Sequence, residues 1–131
     1  MNLSKIFDPR GTKIAYLILA MAGNIAWAMV FLSLVQSLLT RYGDLITGVD
    51  ITLMLGIFLG SLTVGFIVTS LAKDKHGLTY GVYGGLAGML VIGLITWRSS
   101  LLSALVSLMA VFGGYNGGSL GEMTQRLRRK K

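Results

Sequence analysis

Cysteine is absent from the chain, which excludes disulfides, thiolate zinc sites, iron–sulfur clusters and cysteine nucleophiles. The absence leaves the redox compartment open. Proline occurs once, as Pro9, so nothing beyond that point carries the strongest helix breaker. Charge is sparse: 13% of the 131 residues are Asp, Glu, Lys or Arg, against roughly 25% in soluble domains. Acids are the scarcer sign. Asp8, Asp44, Asp50, Asp74 and Glu122 are scattered along the chain without the spacing of a metal ligand set. The one histidine, His76, follows Lys75 in a charged turn and reads as a solvated turn residue, which argues against axial ligation of a haem or chlorin. No metal and no cofactor are expected. No Asp, Glu, Lys, Arg or His falls in the middle of an apolar segment, where proton relays, ion-coupled carriers and intramembrane hydrolases place such groups. An enzyme is therefore not expected.

What is abundant is apolar. Hydrophobic residues make up 53% of the chain, mean hydropathy is +0.72, and there are 18 glycines. Four long apolar segments follow one another, at 14–39, 51–72, 78–97 and 101–121. They are continuous rather than alternating, so they read as helices, the open-chain solution that satisfies backbone groups in lipid. The first segment, at 1.5 Å per residue, spans ~39 Å, longer than the ~30 Å hydrocarbon core. It is too long for a signal peptide and reads as a retained anchor. Its Trp27 lies near the middle, where an indole packs against protein. Residues 1–13 are short and polar. Leu3, Ile6 and Phe7 share helical spacing and allow one turn of interfacial helix, ended by Pro9 and Gly11. Asp50 is placed to cap the second helix. Arg98-Ser99-Ser100 forms a minimal turn, and 122–131 is a basic tail. The expected architecture is a single all-α integral membrane domain over 1–131, an antiparallel bundle of four transmembrane helices.

Glycine has a pattern. Gly56 and Gly60 stand four apart in the second segment. Gly77, Gly81, Gly85 and Gly88 follow one stripe of the third. The fourth ends in Gly113-Gly114-Tyr115-Asn116-Gly117-Gly118-Ser119-Leu120-Gly121. In a soluble helix each glycine costs roughly 1 kcal/mol against alanine, whereas in lipid its missing side chain lets another backbone come close. Gly56, Gly60, Gly77, Gly81, Gly85, Gly88, Gly114, Gly117, Gly118 and Gly121 are the expected packing positions, with 77–88 and 113–121 as antiparallel neighbours. Five glycines in nine residues wrap more than one face, so some are expected to remain for a partner helix. No Gly-Lys-Ser/Thr follows any of these clusters, which removes the phosphate-loop reading. Asn24 and Asn116 are expected to bond between helices.

The basic residues are uneven. Lys5, Arg10 and Lys13, then Lys73 and Lys75, then Arg126, Arg128, Arg129, Lys130 and Lys131 fall at one set of ends, and only Arg41 and Arg98 at the other. Ten against two places both termini and the 73–77 turn in the cytoplasm and the chain in the cell membrane as a multi-pass protein. The tail residues Arg126, Arg128, Arg129, Lys130 and Lys131 suit anionic lipid headgroups at ~1 kcal/mol each, or an acidic partner. The cations are not interleaved with stacking aromatics on a soluble module, so nucleic acid is not an expected partner.

A glycine-rich third helix after the turn at His76-Gly77, running through Gly81 to Gly88, and a fourth ending in Gly113 to Gly121 with a basic tail, resemble a set of small four-helix bacterial membrane proteins, the YrzE-like group. The resemblance covers mostly the second half and implies four helices without implying an activity. Small multidrug exporters carry a glutamate in the first helix that 14–39 lacks, and fluoride channels combine near-even charge with a Gly- and Arg-bearing first helix that is missing here. The expected role is a structural or accessory subunit, alone or in a larger membrane complex. The alternative is a small homo-oligomeric pore or carrier with Asn24, Asn116 and Glu122 near its path. A C-terminal alkaline phosphatase fusion expressed in bacteria is expected to be inactive, and activity would overturn the orientation.

Overall fold

The computed structural model describes residues 3–43, 48–95 and 101–131. Five helices follow in order: α1 (Leu3–Phe7), α2 (Ile14–Tyr42), α3 (Val49–Ala72), α4 (Gly77–Ile95) and α5 (Leu101–Arg129). The four long ones form an all-α bundle. By length and composition α2, α3 and α4 are each able to cross a membrane. α5, polar over its last two turns, is not among these candidate spans.

Several boundaries differ from the sequence reading. α2 runs on through Thr40, Arg41 and Tyr42 to a Gly43 cap of positive φ, because nothing before that glycine breaks the helix. Asp50 does not cap α3. The helix begins two residues earlier than expected, at Val49, with Gly48 in the left-handed region as N-cap and no side-chain cap bond. Asp50 sits inside the first turn instead, where a carboxylate still suits the helix dipole. The basic tail is no free tail: α5 continues to Arg129, since 122–129 holds neither glycine nor proline. Trp97, the Arg98-Ser99-Ser100 turn and Asp44 lie outside the described residues.

Contacts fix the directions. Gly77 meets Gly118, Gly81 meets Gly114 and Gly85 meets Ala110, so α4 and α5 are antiparallel. Gly113 meets Phe58, Gly117 meets Leu62 and Gly121 meets Phe66, a constant offset that makes α3 and α5 parallel. Val64 on Gly23, Trp27 on Gly60 and Phe31 on Gly56 make α2 and α3 antiparallel. The α3–α4 pair lies between α2 on one side and α5 on the other.

The glycines fall into two kinds of contact. On α4 and α5, Gly81, Gly85, Gly113, Gly114, Gly117 and Gly118 face backbone. A Cβ built at Gly81 would stand 2.0 Å from the Gly114 carbonyl oxygen, and one at Gly114 would stand 2.1 Å from that of Gly81. Gly65 of α3 enters the same junction, 2.9 Å from the Gly114 oxygen on the same measure. On α3, Gly56 and Gly60 instead receive aromatic side chains. The Phe31 ring and the Trp27 indole fill the space a Cβ would need. The two rings stack at 5.5 Å, and the Trp27 Nε1–H donates to the Gly56 carbonyl at 3.1 Å. Gly88 has only ordinary contacts at 3.5 Å, and nothing lies within 4 Å of a Cβ at Gly93.

All five glycines of 113–121 are buried, Gly113, Gly117 and Gly121 against α3 and Gly114 and Gly118 against α4. The second face of this stretch is therefore occupied by α3, and no glycine of it is left for a partner. Two apolar layers flank the glycine junction. One holds Ala28, Ile57, Ile92, Val106 and Ala110, and the other Ala20, Val68, Ala72 and Tyr80. The Ser61 hydroxyl donates to the Ala110 carbonyl at 2.5 Å, a side-chain bond from α3 to α5.

Alanine substitutions separate these environments. Gly81→Ala and Gly114→Ala drive a methyl into backbone and are expected to lower stability by about 1–3 kcal/mol. Gly93→Ala, with open space, is expected to be neutral or stabilising by up to roughly 1 kcal/mol through helix propensity. Thermal unfolding of the three variants in detergent checks the order.

Candidate functional site at the basic end of the bundle

The richest polar chemistry collects where α2 begins, α3 ends, α4 begins and α5 ends. A helix end leaves four backbone groups without intrahelical partners, and here side chains from other helices supply them. At the C-terminus of α3, Lys13 donates its Nζ to the Ala72 carbonyl at 2.7 Å, Gln125 its Nε2 to the Thr69 carbonyl, and Arg129 its guanidinium to the Lys73 carbonyl at 3.3 Å. Two cations thereby meet the negative end of the α3 dipole. Lys73 ends the helix with φ 54, a left-handed conformation that glycine usually takes.

The N-terminus of α4 receives the opposite charge. The Leu78 N–H donates to Glu122 Oε1 at 3.1 Å, so a carboxylate on α5 caps α4. The same carboxylate lies 3.6 Å from Arg126 one turn on. In the turn, the His76 N–H donates to Asp74 Oδ1 at 3.0 Å. The other Asp74 oxygen accepts from the Tyr80 hydroxyl at 2.5 Å, and that hydroxyl accepts from the Lys13 N–H at 2.7 Å. Tyr80 is fully buried, so its hydroxyl ties the start of α2 to the 73–76 turn through the bundle interior. Tyr83 makes a second tie, donating to the Phe7 carbonyl at 2.6 Å and holding α1 on α4.

Three hollows open at or near this end. One of about 290 Å³ is lined by Asp74, Lys75, Glu122, Gln125, Arg126 and Arg129. A second of about 300 Å³ lies beside α1, with Arg10, Lys75 and His76 among its lining residues. A third, about 360 Å³ and almost wholly apolar, lies between α1, α4 and α5. Among the described residues, no group of three His, Cys, Asp or Glu is placed to hold a metal ion.

The structure does not gather the polar residues expected to line a path. Asn24 is buried between α2 and α4 under Gly84 and donates to the Ala20 carbonyl of its own helix at 2.9 Å. Asn116 is exposed and donates to the Phe112 carbonyl, also on its own helix, at 2.7 Å. Among the described residues, neither asparagine makes the expected bond between helices. Each amide reaches the carbonyl one turn back, whose second lone pair is within reach of a short side chain on a helix. Glu122 stands apart from both, at the basic end. Of the tail cations, Arg126 pairs with Glu122 and Arg129 reaches Lys73, while Arg128, Lys130 and Lys131 are exposed.

Gln125, Lys13 and the Tyr80–Asp74 bond escape a reading of the sequence alone. A signal for one side of the site is present: Gly114, Gly118, Glu122, Gln125 and Arg129 recur at three- and four-residue steps, so the polar groups continue the glycine stripe on one face of α5. No protein-family model matches the chain, and no curated protein or solved structure matches it significantly.

Glu122→Ala removes the α4 cap and is expected to cost about 1–2 kcal/mol. Glu122→Gln keeps a carbonyl acceptor and is expected to cost less than half of that. Equal losses in detergent melting would contradict the capping role.

Proposed function

We propose that the chain is a non-enzymatic, multi-pass protein of the cytoplasmic membrane that serves as a structural or accessory subunit. In this reading α5 is the fourth span, and both termini and the 73–76 turn face the cytoplasm, as the ten-to-two distribution of Lys and Arg demands. The glycines serve the bundle's own packing, and the tail cations Arg128, Lys130 and Lys131 meet anionic headgroups. The likeness of the second half to the YrzE-like group accords with this and adds no activity.

The observation that carries the reading is the uncovered side of α2. Only 17% of its apolar window is buried inside the bundle, against 50% for α4. Leu19, Val30, Leu34 and Leu38 are among the large side chains turned outward. Large side chains of α3 and α5 also face outward, but α2 has the smallest buried share of the three candidate spans and is the helix this reading assigns to a partner.

Mild-detergent purification with native mass spectrometry is expected to recover a second membrane protein, and its yield is expected to fall severalfold in a Val30→Trp/Leu34→Trp variant. Recovery of the wild-type chain always alone would refute the subunit role.

A further inference from the structure

Among the described residues, one shielded side-chain polar atom has no hydrogen-bond partner, His76 Nδ1. Such atoms are generally paired in folded proteins. This one faces Asp74 Oδ2 at 3.9 Å, near enough for an ion pair and too far for a hydrogen bond. Asp74 is the centre of the turn. Its Oδ1 accepts from the His76 N–H, and its Oδ2 accepts from the Tyr80 hydroxyl, which in turn accepts from the Lys13 N–H. A carboxylate offers about four acceptor positions, so Oδ2 keeps one for the ring. The ring edge that carries Cε1 and Nε2 lies beside Gly11, 3.5 Å from where a Cβ there would stand. His76 is thus held between Asp74 and the 8–12 segment that joins α1 to α2. α1 itself is attached through buried Ile6 and the Tyr83 bond to the Phe7 carbonyl.

We propose that His76 is a proton-operated latch on this N-terminal arm, residues 3–12. A neutral imidazole with its proton on Nε2 turns a lone pair towards the carboxylate. An imidazolium turns an N–H towards it, and a movement of about 1 Å closes a charge-assisted bond of roughly 2.8 Å. Charged groups surround the ring from every side: Asp74 and Lys75 in its own turn, Asp8 and Arg10 from the 8–12 segment, Lys13 at the start of α2, the Tyr80 hydroxyl from α4 and Glu122 from α5. Asp8 and Glu122 already accept from the Arg10 and Leu78 N–H groups, so Asp74 is the carboxylate placed to take the new donor. The bonded form is the protonated one. The latch is therefore closed on the acid side of the range in which an imidazole changes charge, about pH 5 to 8, and opens as pH rises through it. The contact with Gly11 passes the change to the arm. An open arm uncovers the apolar hollow of about 360 Å³ that Ile6 and Phe7 help to line. The latch does not depend on the subunit role.

His76 is the single histidine of the chain, so imidazole nitrogen NMR signals of the full, histidine-labelled chain in nanodiscs report on it alone. Nδ1 is expected to change from an unprotonated nitrogen at about pH 7.5 to a hydrogen-bonded N–H at about pH 5.5. Hydrogen exchange of residues 3–12, corrected for its intrinsic pH dependence, is expected to be at least about threefold slower at the lower pH. His76→Gln, which does not titrate, is expected to abolish that difference without a change in melting temperature at the higher pH. Glu122→Gln, which leaves Asp74 in place, is expected to keep it, and Tyr83→Phe is expected to speed exchange of α1 at both pH values. A neutral imidazole already carrying its proton on Nδ1, exchange that follows the intrinsic rate alone, the same pH response in His76→Gln, or its loss in Glu122→Gln would each overturn the proposal.

Discussion

Between Gly81 and Gly114 two helix backbones meet with no side chain between them, and Gly65 brings a third backbone to the same place. The mutual placement of α3, α4 and α5 rests on this junction. In lipid no hydrophobic force draws helices together, so association rests on close packing and on the hydrogen bonds such closeness allows. Removing the side chains on facing surfaces shortens the interaxial distance and lets atoms along several turns come into contact. The cost of glycine in a helix, which arises from backbone freedom in the unfolded chain, is small where the backbone is already compelled to be helical by the lack of water. The same residues would weaken a soluble helix of this length.

The junction has different consequences on the two sides of α3. Towards α5 the approach is backbone to backbone, and Ser61 reaches the Ala110 carbonyl. Towards α2 the glycine groove is filled by Trp27 and Phe31, so α2 is held by large rings in small hollows and keeps its opposite side uncovered. A Gly-x-x-x-Gly pair marks a hollow, and what fills the hollow depends on the facing helix. α2 offers an indole and a phenyl ring, whereas α5 offers glycine. This difference leaves α2 held on α3 by its rings and on α4 by Ala20 and Asn24 against Gly84, with its opposite side uncovered.

Much of the fold is legible in the sequence because its causes are local. Continuous apolar runs with no proline beyond Pro9 mark the helices, although α2 outruns its apolar segment, which ends at Leu39, to reach Gly43. The site is less legible because its causes are not local. Glu122 and Leu78 are 44 residues apart, and Lys13 and Tyr80 are 67 apart; no periodicity within one helix relates them. The asparagines mislead for the opposite reason. Asn24 and Asn116 look like glue between helices because polar groups in lipid need partners, yet a carbonyl one turn back satisfies each of them. The fate of Gly113 to Gly121 likewise depends on helix order in space. That α3, rather than a partner, lies against Gly113, Gly117 and Gly121 is set by how the hairpins dock.

The dry junction and the polar end are two lengths of the same face of α5. Gly114 and Gly118 fix how near α5 lies to α4, and one turn beyond Gly118 that spacing allows the short reach of Glu122 to the Leu78 N–H. Gln125 and Arg129 follow on to the carbonyls that end α3. A larger side chain at Gly118, whose Cβ would stand 2.2 Å from the Gly77 oxygen, would force the helices apart where α4 starts. The caps would then be out of reach, leaving buried backbone groups unsatisfied at about 1–3 kcal/mol each. Packing and capping are therefore coupled: the glycines keep the helix ends within reach of the charges that complete them, and those bonds in turn hold the register in which the glycines face backbone.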